Sequence, residues 1–157
     1  MKLNYDCIRK ILLYVEANSG YEPNTTIYKI IQPKEISKAL CNDKLTDEEI
    51  TYAIQLLFEE DYFNINRTPV YGPNNTLFNV DITSLSWRGN ELLNSVRNDT
   101  AWNAVIERSK KVGVGTIGQI AKMAFSLGDA MLTDPNALQN FFDGTKNILH
   151  MIQQAIH

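Results

Sequence analysis

Histidine and cysteine are scarce: two of each occur in 157 residues, and this closes most routes to metal and nucleophilic chemistry. Cys7 and Cys41 form no CxxC pair and no zinc-ligand spacing, so both are expected as buried, reduced thiols. His150 and His157 fall near the C-terminus, where no placed nucleophile can join them in a triad. No uninterrupted apolar run reaches the roughly 18 residues that a spanning helix needs. Positive charge is also short. Lys and Arg total 15 against 18 Asp and Glu, a net charge of -3, whereas a dedicated nucleic-acid binder is usually basic. The deficit is concentrated at the start: residues 1–61 carry seven basic and eleven acidic side chains, and residues 101–157 carry five and four. The opening "MKLNYDCIRKILLYVEANSG" has no long apolar core and no small-residue cleavage site, so no secretory leader is expected and a cytoplasmic location is. The N-x-T sequons at Asn24, Asn66, Asn74 and Asn98 then read as coincidences of an Asn-rich surface. Neither a metal nor a cofactor is expected, and the chain does not read as an enzyme.

What remains is a clear alternation of elements. Ile8, Ile11, Leu12 and Val15 share one helical face and predict a helix over residues 3–18, stopped by "NSG". "TTIYKII" is short and β-branched and reads as a strand. "PKEISKALCN" opens with Pro33, suited to a first helical turn, and reads as a second helix. Thr46 and Glu49 then make a T-x-x-E capping box ahead of the apolar stripe Ile50, Ile54, Leu57 and Phe58, which predicts a third helix ending near Asp61. "YFNINRT" and "TLFNVDITSL" read as two strands joined by the Pro/Gly/Asn turn "PVYGPNN".

The expected fold class is therefore α+β. The order is that of a winged helix-turn-helix, with the third helix in the recognition position and a small β-hairpin wing over residues 67–78. One long helix is predicted over residues 86–111, with Ser86 as its cap and Gly89 marking close packing against the hairpin.

"KKVGVGTIGQIAKMAF" carries Gly113, Gly115 and Gly118 at G-x-G-x-x-G spacing. A dinucleotide loop needs a strand before it and a βαβ unit around it. Here a charged helical segment precedes and helical sequence follows, so the glycines read as a joint. Beyond it, Ile117, Ile120, Ala124, Leu127 and Met131 fall at alternating three- and four-residue steps, the spacing of a heptad seam. "TDPN" breaks the helix, with Asp134 as cap and Pro135 at the first position of the next. Phe141, Ile148 and Ile152 lie on the second apolar face of a C-terminal helical hairpin. Two readings of this hairpin stay open: it packs within the chain, or it self-associates through Ile117, Ile120, Ala124, Leu127, Met131, Phe141, Ile148 and Ile152. The expected partition is a winged-helix-like domain over 1–110 and the helical hairpin over 111–157.

Two segments carry a family resemblance. "MKLNYDCIRKILLYVEAN" and "ITSLSWRGNELLNSVRNDTAWNAV" resemble an uncharacterised bacterial and phage family, domain of unknown function 2513. That family has a Met-Lys-hydrophobic-x-x-Asp start, then L-T-W-x-G-H-E-F-L followed by R-x-D-x-x-W. Leu85, Trp87, Gly89, Glu91, Leu93, Arg97, Asp99 and Trp102 match; Ser86, Asn90 and Leu92 replace the usual Thr, His and Phe. The resemblance covers residues 1–110 and implies a winged-helix-like fold and a phage or mobile-element origin, with no activity to carry over. The replaced histidine also removes that motif's one candidate for acid-base chemistry.

Three functions follow as expectations. The first is a protein-interaction or regulatory module meeting a host or phage protein through its acidic helix and Tyr-bearing wing, with self-association through the tail. The second is a DNA-binding regulator, in which Thr51 and Gln55 read bases and Lys34, Lys38, Lys44 and Arg67 hold phosphates. The residues offered to either partner are Lys38, Lys44, Glu48, Thr51, Tyr52, Gln55, Arg67 and Tyr71. Against DNA, six acidic residues and no basic one lie between positions 47 and 61. The third is membrane action by the amphipathic tail, which is disfavoured because its polar face is poor in Lys and Arg.

Overall fold

The computed structural model describes residues 1–113, 115–143 and 154. The chain forms two compact units, Met1–Asn90 and Glu91–His157.

In the first unit, α1 (Tyr5–Asn18), α2 (Pro33–Leu40) and α3 (Asp47–Glu59) pack on one another. Cys7, Ile8, Ile11, Leu12 and Val15 form the buried stripe of α1, and Asn4 caps it by accepting the Cys7 N–H at 3.2 Å. The predicted capping box of α3 is formed. Thr46 N–H donates to Glu49 Oε2 at 3.0 Å, and Glu49 N–H donates to Thr46 Oγ1 at 3.2 Å. Such a cap is worth ~1 kcal/mol. The inward face of α3 is Ile50, Ala53, Ile54 and Leu57.

The end of α3 is as well defined as its start. Asp61 turns left-handed (φ 59), its N–H donates to Phe58 O at 3.1 Å, and Tyr62 N–H donates to Leu57 O at 3.0 Å. This is a Schellman closure, with Asp61 where glycine is usual and the buried Tyr62 as the apolar residue that follows.

Tyr62 leads into a hairpin. β1 (Phe63–Ile65) pairs antiparallel with β4 (Ile82–Leu85), Phe63 opposite Leu85 and Asn64 opposite Ser84, with a bulge after Asn64. Farther out, β2 (Val70–Tyr71) pairs with β3 (Leu77–Asn79) around a turn in which Asn74 and Asn75 take φ of 59° and 58°. "TLFNVDITSL" is thus two strands. The break falls at buried Val80 and at Asp81, whose carbonyl accepts the Asn66 N–H at 2.9 Å. The predicted strand "TTIYKII" is reduced to two isolated bridges, Tyr21–Tyr28 and Ile31–Ile82, because only Ile31 reaches β4. Helices, hairpin and following helix make the α+β, winged-helix-like layout.

The predicted long fourth helix is two. α4 (Trp87–Val96) ends before Arg97, and α5 (Asp99–Val112) restarts at Asn98, whose extended backbone lets its side chain accept the Ala101 N–H at 3.0 Å. An Asn cap followed by Asp99 in the first turn favours a helix start over continuation. Gly113 (φ 72) closes α5, its N–H donating to Ser109 O. α6 (Ile117–Thr133) opens on a capping box between Thr116 and Gln119, and α7 (Ala137–Asp143) follows the break. There Asp134 accepts the Asn136 N–H at 2.8 Å and the Asn140 amide at 3.0 Å. α5, α6 and α7 pack on one another.

The close approach expected at Gly89 is real. A Cβ there would collide with the Tyr62 carbonyl oxygen and come within 3.2 Å of Leu85 Cβ. Gly89→Ala gains ~1 kcal/mol of helix propensity and loses more to the clash, since overpacking costs ~1–3 kcal/mol and here the obstacle is backbone. Urea denaturation is expected to show net destabilisation of ~1–2 kcal/mol; unchanged stability would mean that Tyr62 and α4 are not held together.

Candidate interaction surface

Of the eight residues expected at a partner surface, Glu48, Thr51, Tyr52 and Gln55 lie on α3, Arg67 and Tyr71 lie in the hairpin, and Lys38 and Lys44 lie outside both. Along α3, Glu48 and Glu59 are exposed, while Thr51, Tyr52 and Gln55 are half-buried. Their spacing follows from the inward stripe: with Ile50, Ala53, Ile54 and Leu57 inside, these positions take the remaining arc.

Gln55 is held by its own chain. Its Oε1 accepts the backbone N–H of Leu77 in β3 at 3.4 Å, and its Nε2 donates to Glu59 Oε1 at 2.8 Å. It ties the helix to the wing. Arg67 is exposed, but its Nε lies 3.6 Å from Asp81 Oδ2, a carboxylate that also accepts from Gln32 Nε2 at 2.5 Å. Lys38, on α2, and Lys44, in the turn before α3, are both exposed. Asp47 begins α3 with its carboxylate bound to the hydroxyl of buried Ser37, which links α2 to α3.

The wing exposes more apolar surface than Tyr71 alone. Val70, Tyr71 and Phe78 are exposed at 53%, 48% and 61%. Phe78 was not among the expected site residues, although strand alternation signals it: Leu77 points inward, so its neighbour points out. The Lys34 ammonium lies 5.6 Å from the Phe78 ring centroid. Between α2, the start of α3 and the wing there is an open cleft of about 420 Å³, with Thr51, Leu77 and Phe78 in its lining.

The other candidate chemistry is separate from this face. Cys7 is fully buried, and burial, reinforced by Glu49 and opposed by Lys10, pushes its thiol up to about 11. Cys41 is exposed, against the expectation that both thiols are buried. Among the described residues, no group of three or more His, Cys, Asp or Glu is placed to hold a metal ion, and no helix is long and apolar enough to cross a membrane.

In the second unit, Ile117, Ile120, Ala124, Leu127 and Phe141 are buried, whereas Met131 is 39% exposed. Ile148, Ile152, His150 and His157 lie outside the described residues.

A winged-helix-like α+β layout, with an acidic α3 and an apolar wing, defines the class of protein. The family model described as "Hypothetical protein (DUF2513)" matches residues 2–115, and the chain belongs to that family. The matched stretch includes the close approach at Gly89 and the whole of α5, and it ends just beyond Gly113. A protein of Haemophilus influenzae named only "Uncharacterized protein" is 28% identical over 139 residues, covering 80% of this chain and 97% of the relative. No solved structure matches.

Gln55→Ala removes the acceptor of the Leu77 N–H. A stability loss of ~1 kcal/mol is expected in chemical denaturation. No loss would show that Gln55 is free for an outside partner.

Proposed function

We propose that the chain is a non-enzymatic protein-interaction or regulatory module whose winged-helix-like unit meets a protein surface through α3 and the wing. The observation that carries this reading is the outer face of α3. It bears Glu48, Thr51, Tyr52, Gln55 and Glu59 and no cation, and Glu60 and Asp61 follow it directly. Carboxylates next to a phosphate backbone oppose the counterion-release term that drives most non-specific DNA affinity. Gln55, the best adenine reader by type, is bonded to β3 and Glu59 instead. The exposed Val70, Tyr71 and Phe78 supply the aromatic and aliphatic content found at protein interfaces.

DNA binding is the second reading, supported by exposed Lys34, Lys38, Lys44 and Arg67. The two separate on salt. A gel-shift titration with mixed-sequence duplex at low ionic strength is expected to give no retardation, and pull-down of a partner from lysate is expected to survive nuclease treatment. Retardation that weakens steeply with salt and is lost in Lys38→Glu/Lys44→Glu would replace the first reading with the second.

Self-association through the second unit is also proposed. Its exposed apolar contacts are Met131, which among the described seam residues is the one left exposed, at 39%, and its neighbour Leu132, outside the seam, at 85%. Light scattering on the full chain is expected to show an oligomer that Leu132→Lys dissociates. A wild-type monomer at micromolar concentration removes this part of the proposal.

A further inference from the structure

The segment "TTIYKII" has the composition of a strand and forms almost none. Its hydrogen bonds explain why. On one side, Ile27 O accepts from Glu22 N–H at 2.8 Å and Lys29 N–H donates to Gly20 O at 2.9 Å. Ile31 exchanges both of its bonds with Ile82 of β4, at 2.8 and 3.1 Å. Residues 27, 29 and 31 therefore direct their backbone groups inward. In extended chain, alternate residues direct theirs to the opposite side, which is the side left to Tyr28 and Ile30. Neither residue has a backbone hydrogen bond among the described residues. The same stretch exposes apolar side chains: Ile27 at 66%, Tyr28 at 49% and Ile30 at 36%. Tyr28 is held in place by stacking on Tyr21, with ring centroids 4.7 Å apart. A β-branched edge with free N–H and C=O groups is a template for one more strand.

We propose that residues 27–31 form a β-augmentation site for an extended, β-branched segment of another protein carrying a carboxylate opposite Lys29. The charge selects the occupant. Lys29 directs its backbone inward, so in an added antiparallel strand it sits at a non-hydrogen-bonded position, where facing side chains are closest. An acidic residue there is favourable and a cation is not. A second copy of the chain is disfavoured for the same reason. The antiparallel self-pairing that engages both Tyr28 and Ile30 places Lys29 against Lys29 of the other copy. This extends the protein-interaction reading to a second surface, and its test is independent of whether α3 meets DNA.

The test uses the full chain and two synthetic peptides of alternating Thr and Val, one with a central Glu and one with a central Lys. Fluorescence anisotropy at low salt is expected to show about fivefold tighter binding of the Glu peptide. Lys29→Glu is expected to reverse that preference. The Tyr28 and Ile30 amides are expected to exchange freely in the unbound chain and to slow on binding. Ile30→Pro, which removes one outward N–H and is tolerated at a sheet edge, is expected to abolish binding without lowering the melting temperature. Equal affinity for the two peptides, a preference that Lys29→Glu leaves unchanged, or amides already protected in the free chain would each overturn the assignment. So would a dimer of the free chain that Ile30→Pro dissociates, because the edge would then belong to a second copy. A salt-sensitive DNA shift would remove the reading of α3 and leave this edge as it stands.

Discussion

The carbonyl of Tyr62 occupies the space that any side chain at position 89 would need, and most of the first unit depends on that approach. Ser86 N–H donates to Tyr62 O at 3.0 Å, Ser86 Oγ donates to Asp61 O at 2.7 Å, and Gly89 N–H donates to Ser86 Oγ at 3.0 Å. Arg88 closes the other side. Its guanidinium donates to Glu60 O at 2.8 Å and lies 4.7 Å from the centroid of the Tyr62 ring. Burial raises the Tyr62 phenol, and the Arg88 charge opposes that rise. Four chain segments thus meet at one place: the end of α3, the start of β1, the end of β4 and the first turn of α4. The Trp-x-Gly motif acquires a physical meaning from its glycine and its arginine. Its tryptophan, Trp87, is 81% exposed and takes no part in the joint.

With α3 and the hairpin fixed in this way, polar residues that looked like readers become fasteners. Gln55 accepts the N–H of buried Leu77 in β3, and Asp81 gathers Gln32 and Arg67. An unsatisfied buried donor costs ~1–3 kcal/mol, so such bonds stabilise the fold by occupying groups that recognition would need. The surface left open is acidic along α3 and apolar on the wing. That combination suits a protein partner better than a phosphate backbone, and it underlies the proposed function.

The open edge at residues 27–31 reflects the same balance between composition and available partners. β-branched residues favour extended chain, yet a strand exists only where another strand accepts its hydrogen bonds. β4 meets Ile31 alone, and the turn at residues 20–22 meets the segment's other inward groups. What composition prescribes is therefore half realised, and the unrealised half faces outward with Lys29 in its middle.

Local chemistry was legible in the sequence wherever a residue acts on its own neighbours. The Thr46–Glu49 box, the buried stripe of α1, Pro33 opening α2, the hairpin turn and Gly113 closing a helix all depend on contacts within a few positions. So does the Asn98 cap, which apolar periodicity across residues 92–106 concealed. Tertiary structure decided the rest. Whether Gln55 points to a partner or to β3, whether Cys41 is covered, where "TLFNVDITSL" breaks, and whether the seam of α6 faces its own unit depend on atoms distant in sequence. Periodicity shows that a face is apolar; only packing shows what covers it.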